Sequence, residues 1–161
     1  MLTWQELAAA EPVLAEVGRR FLYPGPVGLG FLATTRRDGG PRVHPICPLL
    51  TDQGIYAFIV PGPKLGDLRR DPRYALHSET FPPPRHDDAL YLTGTVQERD
   101  DADLRARLQA QMLAERHLDE PWPGFDDQAL VELLIQTCLV TLTEAAHGLP
   151  QGHTIWHAPS S

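Results

Sequence analysis

Asparagine is absent from the 161 residues, so no Asn-x-Ser/Thr glycosylation acceptor exists. Cysteine occurs only at Cys47 and Cys138, each within an apolar run and without a CxxC pair, which excludes a disulfide scaffold and reads as two reduced thiols. The apolar runs over 55–60 and 138–142 fall far short of the roughly 20 residues that cross a bilayer, so no membrane span is expected. Basic charge is also scarce. Fourteen Lys and Arg face 21 Asp and Glu, a net charge of −7, which argues against general binding to nucleic acid or anionic membranes. Any anionic ligand must therefore meet a local basic site. Lysine occurs once, at Lys64, so the position of the one ammonium carries information. The start Met1-Leu2-Thr3-Trp4 leads into polar and acidic residues, not into the basic and then apolar stretch of a secretory signal, and a cytoplasmic protein is expected.

The 42% of apolar residues suffices for one hydrophobic core, and no linker or repeat divides the chain, so 1–161 reads as a single domain. Thr3-Trp4-Gln5-Glu6 has the form of a capping box, opening an N-terminal helix over 3–20 that Pro12 ends or kinks near Glu11. A Gly-thinned run over 27–36 and the Asp38-Gly39 turn predict a hairpin whose returning strand covers 41–51. The β-branched and aromatic run over 55–60 predicts a third strand of an antiparallel meander. Pro63 suits the first turn of a helix ending near Arg70, and strands are expected over 73–79, 89–99, 135–143 and 153–157. The prolines of 82–88 predict an exposed loop. Acidic caps at 100–103 start a helix to about His117, and Asp126 is expected to cap a short helix over 128–134. These elements predict an α+β, mainly β fold: a β-barrel over about 27–158 with six or seven strands and flanking helices.

Few residues announce chemistry by themselves. The seven histidines, His44, His77, His86, His117, His147, His153 and His157, show no metal-ligand spacing, and no metal is expected. No GxSxG elbow or dinucleotide fingerprint is present. Strand alternation places Arg42, His44 and Ile46 on one face and Val43, Pro45 and Cys47 on the other. Pro45 and Pro48 remove ladder donors, so this strand is an edge, is bulged, or turns its remaining N–H groups toward a planar ligand. Lys64 lies in a first helical turn after a tight Pro-Gly turn, where it opposes the helix dipole unless an anion shares the site; Asp67 nearby offers the alternative of offsetting the dipole. Trp4, Trp122 and Trp156 read as core or interface aromatics, with Trp156 near enough to the C-terminus to reach over a neighbouring subunit's ligand site.

The segments GFLATTRRDGGPRVHPICPLL, IYAFIVPGPKLGDLRRDPRYAL and LYLTGTV together resemble the flavin-binding split-barrel family related to pyridoxamine 5'-phosphate oxidase, over roughly 27–99, with a weaker echo in HGLPQGHTIWHAP. The resemblance implies a six-stranded antiparallel Greek-key split β-barrel and a homodimer with FMN sites at its interface. It implies a flavin-dependent oxidoreductase passing hydride to or from a small-molecule substrate. The family's phosphate-binding arginine falls on Arg42 and its lysine on Lys64. The backbone from Val43 through His44 and Pro45 to Cys47 falls at the flavin ring. Ala57, Phe58, Val60 and Pro61 line the ribityl path, and Trp156 belongs to the same set. Departures are as informative. No Arg-x-His substrate motif stands near the C-terminus, Pro63 replaces a second phosphate-side arginine, and Ala89 replaces a flavin-directed glutamine, so the pyridoxamine phosphate activity itself is not expected. Relatives of this kind use FMN, the deazaflavin coenzyme or haem, and some bind flavin without catalysis. No residue is assigned as catalytic; His44, on the face of Arg42, is the leading acid-base candidate.

Overall fold

The computed structural model describes residues 1–79 and 87–159. The Thr3 hydroxyl accepts from the Glu6 N–H at 3.3 Å and the Glu6 carboxylate accepts from the Thr3 N–H at 2.8 Å, so the capping box forms and starts α1 (Trp4–Ala10). Pro12 cannot supply the N–H that would continue α1, yet its fixed φ suits a first turn, and it opens α2 (Pro12–Leu22). The helix expected over 3–20 is thus ended at Glu11, as its proline predicts, and continues as a second one.

The strands are β1 (Gly30–Thr35), β2 (Pro41–Ile46), β3 (Leu49–Leu50), β4 (Ile55–Ile59), β5 (Arg73–Ser78), β6 (Ala89–Glu98), β7 (Ala129–Leu142) and β8 (Gly152–His157), and α3 (Pro63–Arg70) and α4 (Ala102–Arg116) lie between them. All pairings are antiparallel in the order β2-β1-β5-β6-β7-β4-β3, with β8 added to β7. The two ends of this order, β2 and β3, are separated in the chain by Cys47 and Pro48 alone. Three Cα steps of about 3.8 Å bridge Ile46 to Leu49, so the sheet must curl until its edges come within roughly 11 Å. The result is the half-closed barrel of a split-barrel fold, joined at the split by covalent chain rather than by a ladder.

Three expectations are corrected. The described residues hold eight strands rather than six, partly because Pro48 divides the strand expected over 41–51 into β2 and β3. The meander holds as two hairpins, β1–β2 and β3–β4, but the Cys47-Pro48 break sends them to opposite ends of the strand order. The helix expected over 128–134 is strand, the first half of β7. There Leu130, Val131, Glu132 and Leu133 are all buried, one face against the barrel interior and the other beneath α4, so the period-2 signal vanishes. The loop expected over 82–88 lies mostly outside the described residues.

The barrel interior is filled by Leu32, Leu76, Leu90, Leu92, Ile135 and Val140, among others, with Trp4 and Leu7 of α1 packed into the same cluster. A second cluster lies outside the sheet, where Leu104, Leu108 and Met112 of α4 cover Leu49, Tyr56 and Leu130. Alternation along β4 therefore sends Ala57 and Ile59 inward and Tyr56 and Phe58 toward α4. No helix among the described residues is long and apolar enough to cross a membrane.

Candidate functional site

β2 pairs only with β1 and is an edge strand, which is how it tolerates Pro41 and Pro45. The chain leaves it through the Cys47-Pro48 kink, and a hydrogen-bond network holds that kink. The Tyr23 hydroxyl lies 3.1 Å from both the Pro48 carbonyl and the Glu115 carboxylate and accepts from the Leu50 N–H at 2.9 Å. Gln111 donates to Glu115 at 2.8 Å and to the Leu50 carbonyl at 3.2 Å. Burial pushes the Tyr23 phenol up to about 12, so it remains a neutral tether between α2, β3 and α4. Neither Tyr23 nor Glu115 carried a sequence signal, because their partners are backbone groups of a kink visible only in three dimensions.

Beside the kink, at the C-terminal end of α4, lies a cavity of about 340 Å³. Five residues singled out from the sequence line it: Pro45, Cys47, Phe58, Val60 and Lys64. The remaining wall includes Met112 and Arg116 of α4 with Trp122 and Gln128 from the segment that follows. Phe58 and Trp122 both pack on Phe125, with ring centroids 4.6 and 5.3 Å apart, and form an aromatic side to the cavity.

Gly62, at φ +155°, makes the turn from β4 into α3 that delivers Lys64 to this cavity. Lys64 is half-buried and has no carboxylate within 4 Å among the described residues. Burial lowers its pKa, an effect the nearby Cys47 thiol opposes in part. Gln128, just before β7 where a helix was expected, is only 5% exposed and also lines this cavity. A half-buried cation and the Gln128 amide thus share one aromatic-sided cavity, which sets hydrogen-bond donors beside apolar walls. Of the two thiols, Cys47 opens onto this cavity and Cys138 sits in the core, pushed up to about 12 by burial.

The other sequence candidates fall elsewhere. Arg42 donates through Nε to Asp67 at 2.6 Å, and Asp67 also accepts from Thr34 and Arg70, each at 3.2 Å. These bonds, Arg42's first, hold the Asp67 carboxyl below the usual carboxylate range. Their stabilisation is present above the ordinary carboxylate pKa and is lost as the pH falls through the lowered value. His44 is half-buried on the face of Arg42, Val43 is exposed on the other, and Pro61 is exposed in the turn before α3. The Ala57 side chain is in the core, leaving only its backbone for a ligand. Trp156, on β8, packs against the core from the inner face. No group of three metal-ligating side chains gathers among the described residues.

A further surface appears only once the register is known. Pro45, Phe31, His77, Tyr91, Leu139 and Ile155 stand side by side across β2, β1, β5, β6, β7 and β8 on the outward face. Val43, Ala33, Ala75, Thr93, Thr137 and His157 form the row next to it. Neither row contains a carboxylate, in a chain with 21 of them, and Phe31 and Ile155 are 40% and 53% exposed.

No protein-family model matches the sequence, and no curated protein matches it. Solved structures do match. A putative pyridoxamine 5'-phosphate oxidase from Listeria innocua aligns at 16% identity over 76% of this chain and 93% of its own, with TM-score 0.60. A FAD-binding protein from Mesorhizobium loti aligns at 23% identity over 76% and 89%, with TM-score 0.57. An F420 reductase aligns at 19% identity over 74% and 94%, also with TM-score 0.57.

Proposed function

We propose that this chain, which has the split-barrel fold of these flavin-related neighbours, is a homodimeric FMN-binding protein acting as a flavin-dependent oxidoreductase on a small-molecule substrate. The observation that carries this reading is Lys64: the sole lysine, half-desolvated and without an acidic partner among the described residues, in a cavity with Phe58, Trp122 and the end of an edge strand. A flavin, when bound, supplies the hydride chemistry. The chain's own residues bind and orient. Lys64 from the cavity, joined by Arg42 from outside its lining, would hold the phosphate, and the edge of β2 near Val43 and His44 would be offered to a planar ring. The Gln128 amide and the Arg116 guanidinium face the same cavity and are available to the ring or to a substrate. Phe58, Trp122 and Met112 give it an apolar side against which a planar ring could lie. His44 remains the leading proton-transfer candidate. The visible spectrum of the purified protein, with mass analysis of what denaturation releases, tests the cofactor. A flavin spectrum with released FMN is expected, whereas failure to bind FMN on titration overturns it. Deazaflavin is the second reading, favoured by the neighbour named as an F420 reductase, and binding of deazaflavin without FMN would select it.

The dimer half of the proposal rests on the outward rows. The core of a self-complementary interface is depleted of charge, and these rows offer a face without carboxylates across six strands. Trp156 lies on the strand that ends them, at the edge where a partner's site would be met. Sedimentation is expected to give a dimer for the wild type and a monomer for Phe31→Glu and Ile155→Glu. A monomeric wild type, or variants that remain dimeric, would reject this face.

A further inference from the structure

We propose that Asp67 is a positioning residue that gives the site its preference for a phosphomonoester, by orienting Arg42 rather than merely tying α3 to the sheet. The inference rests on the flavin reading above. Asp67 follows Lys64 by three positions on α3, so the two share a helix face. Its side chain is 5% exposed, and its two oxygens are divided between different partners. Oδ1 accepts from both Nη groups of Arg70 at 3.2 Å, and Oδ2 accepts from Thr34 at 3.2 Å and from Arg42 Nε at 2.6 Å.

The two arginines are used differently. Arg70 spends its fork on Asp67 and on the Thr35 carbonyl. Arg42 is held through Nε alone, and neither of its Nη groups has a hydrogen-bond partner among the described residues, on a side chain 28% exposed. A guanidinium fixed at Nε keeps its plane and presents the remaining fork to a second anion, whereas a lysine at this position has no such geometry. Asp67 therefore does for Arg42 what packing cannot do on an edge strand. It removes rotational freedom before the ligand arrives, so that less is lost on binding. Its negative charge opposes a phosphate through space, but Arg42 itself offsets that charge at 2.6 Å, and the orientation of Arg42 has no other source among the described residues.

Riboflavin and FMN differ only in the phosphate, so the ratio of their dissociation constants isolates this role from general damage. The ratio is to be measured by fluorescence titration at fixed ionic strength for the wild type, Asp67→Asn, Arg42→Lys and Arg70→Gln, with thermal melts alongside. Asp67→Asn is expected to reduce the preference for FMN at least about tenfold while riboflavin affinity stays within about twofold. Arg42→Lys is expected to do the same although it keeps the charge. Arg70→Gln disturbs the same carboxylate without touching Arg42 and is expected to leave the ratio within about twofold. A clamp without a positioning role would weaken both ligands together, and a merely repelling carboxylate would give Asp67→Asn a stronger preference for FMN; either result overturns the proposal. If Asp67→Asn fails to fold, Arg42→Lys decides alone, and retention of the full FMN preference there is the overturning result. A wild type that binds neither flavin ends the cofactor reading itself; a wild type that prefers FMN with variants unchanged ends only the assignment of Asp67.

Discussion

Replacing Lys64 by alanine is expected to weaken FMN binding about 10- to 100-fold, the equivalent of one charge-assisted hydrogen bond of about 1.5–3 kcal/mol, while riboflavin binding stays nearly unchanged. Two effects compete at this position, and their signs separate the functional role from a structural one. In the free protein the ammonium is half-desolvated and lacks an acidic partner among the described residues, and its pKa is lowered by burial. A lysine whose folded pKa lies below its unfolded value destabilises the native state at neutral pH, and that penalty disappears only as the pH rises above the unfolded value. Removing it should leave the melting temperature of the cofactor-free protein unchanged or raised. The loss must then appear on binding alone, where a phosphate supplies the missing partner. Parallel FMN and riboflavin titrations with thermal melts of the ligand-free variant read both signs. An FMN affinity equal to that of the wild type would remove Lys64 from the site, and a large drop in melting temperature would make it a structural residue.

Lys64 also shows how far the sequence could be read. A residue type used once, beside Pro61-Gly62-Pro63 and at a helix start, marked itself without any knowledge of the fold, and the cavity gathers it with Phe58, Val60, Pro45 and Cys47. Local chemistry was equally legible in the Thr3–Glu6 capping box, the Asp38-Gly39 hairpin and the proline-marked edge strand, because each depends on neighbours within a few positions. What escaped depends on distant partners. The segment 128–134 carries a helix expectation although 129–134 is strand, because two-sided burial of 130–133 erases the alternation that marks a strand. Arg42 was legible as a cation on an edge strand, but its commitment to Asp67 joins positions 25 residues apart. The outward row from Pro45 to Ile155 needed the register of six strands, which no single segment encodes.

The largest stability effect is expected at Gly94, where substitution by alanine should cost at least about 3 kcal/mol, a sizeable part of the roughly 5–15 kcal/mol that holds a domain together. Gly94 stands at the bulge between β6 and β7: Thr93 pairs with Thr137, Gly94 pairs with Ile135, and Gln136 is the extra residue between. A Cβ at Gly94 would sit 1.8 Å from the Leu134 carbonyl oxygen, with the Leu134 carbonyl carbon at 2.9 Å and the Gln136 nitrogen at 3.2 Å. All three are backbone atoms, so no side-chain rotation relieves the clash and the strands must part. Gly66 provides the contrast. It lies exposed inside α3 with nothing within 4 Å of an added Cβ, so Gly66→Ala should stabilise by about 0.5–1 kcal/mol through helix propensity. Denaturant melts of the two variants should therefore move in opposite directions. A Gly94→Ala protein that melts with the wild type would mean that the bulge is not fixed by this contact. The consequence reaches the site, because the bulge redirects β7 into the segment 129–132 that pairs with β4 beside Phe58. Any Gly94→Ala protein that remains folded by relaxing the bulge should lose flavin binding while its barrel interior stays packed, since the cavity wall depends on where that half of β7 is aimed.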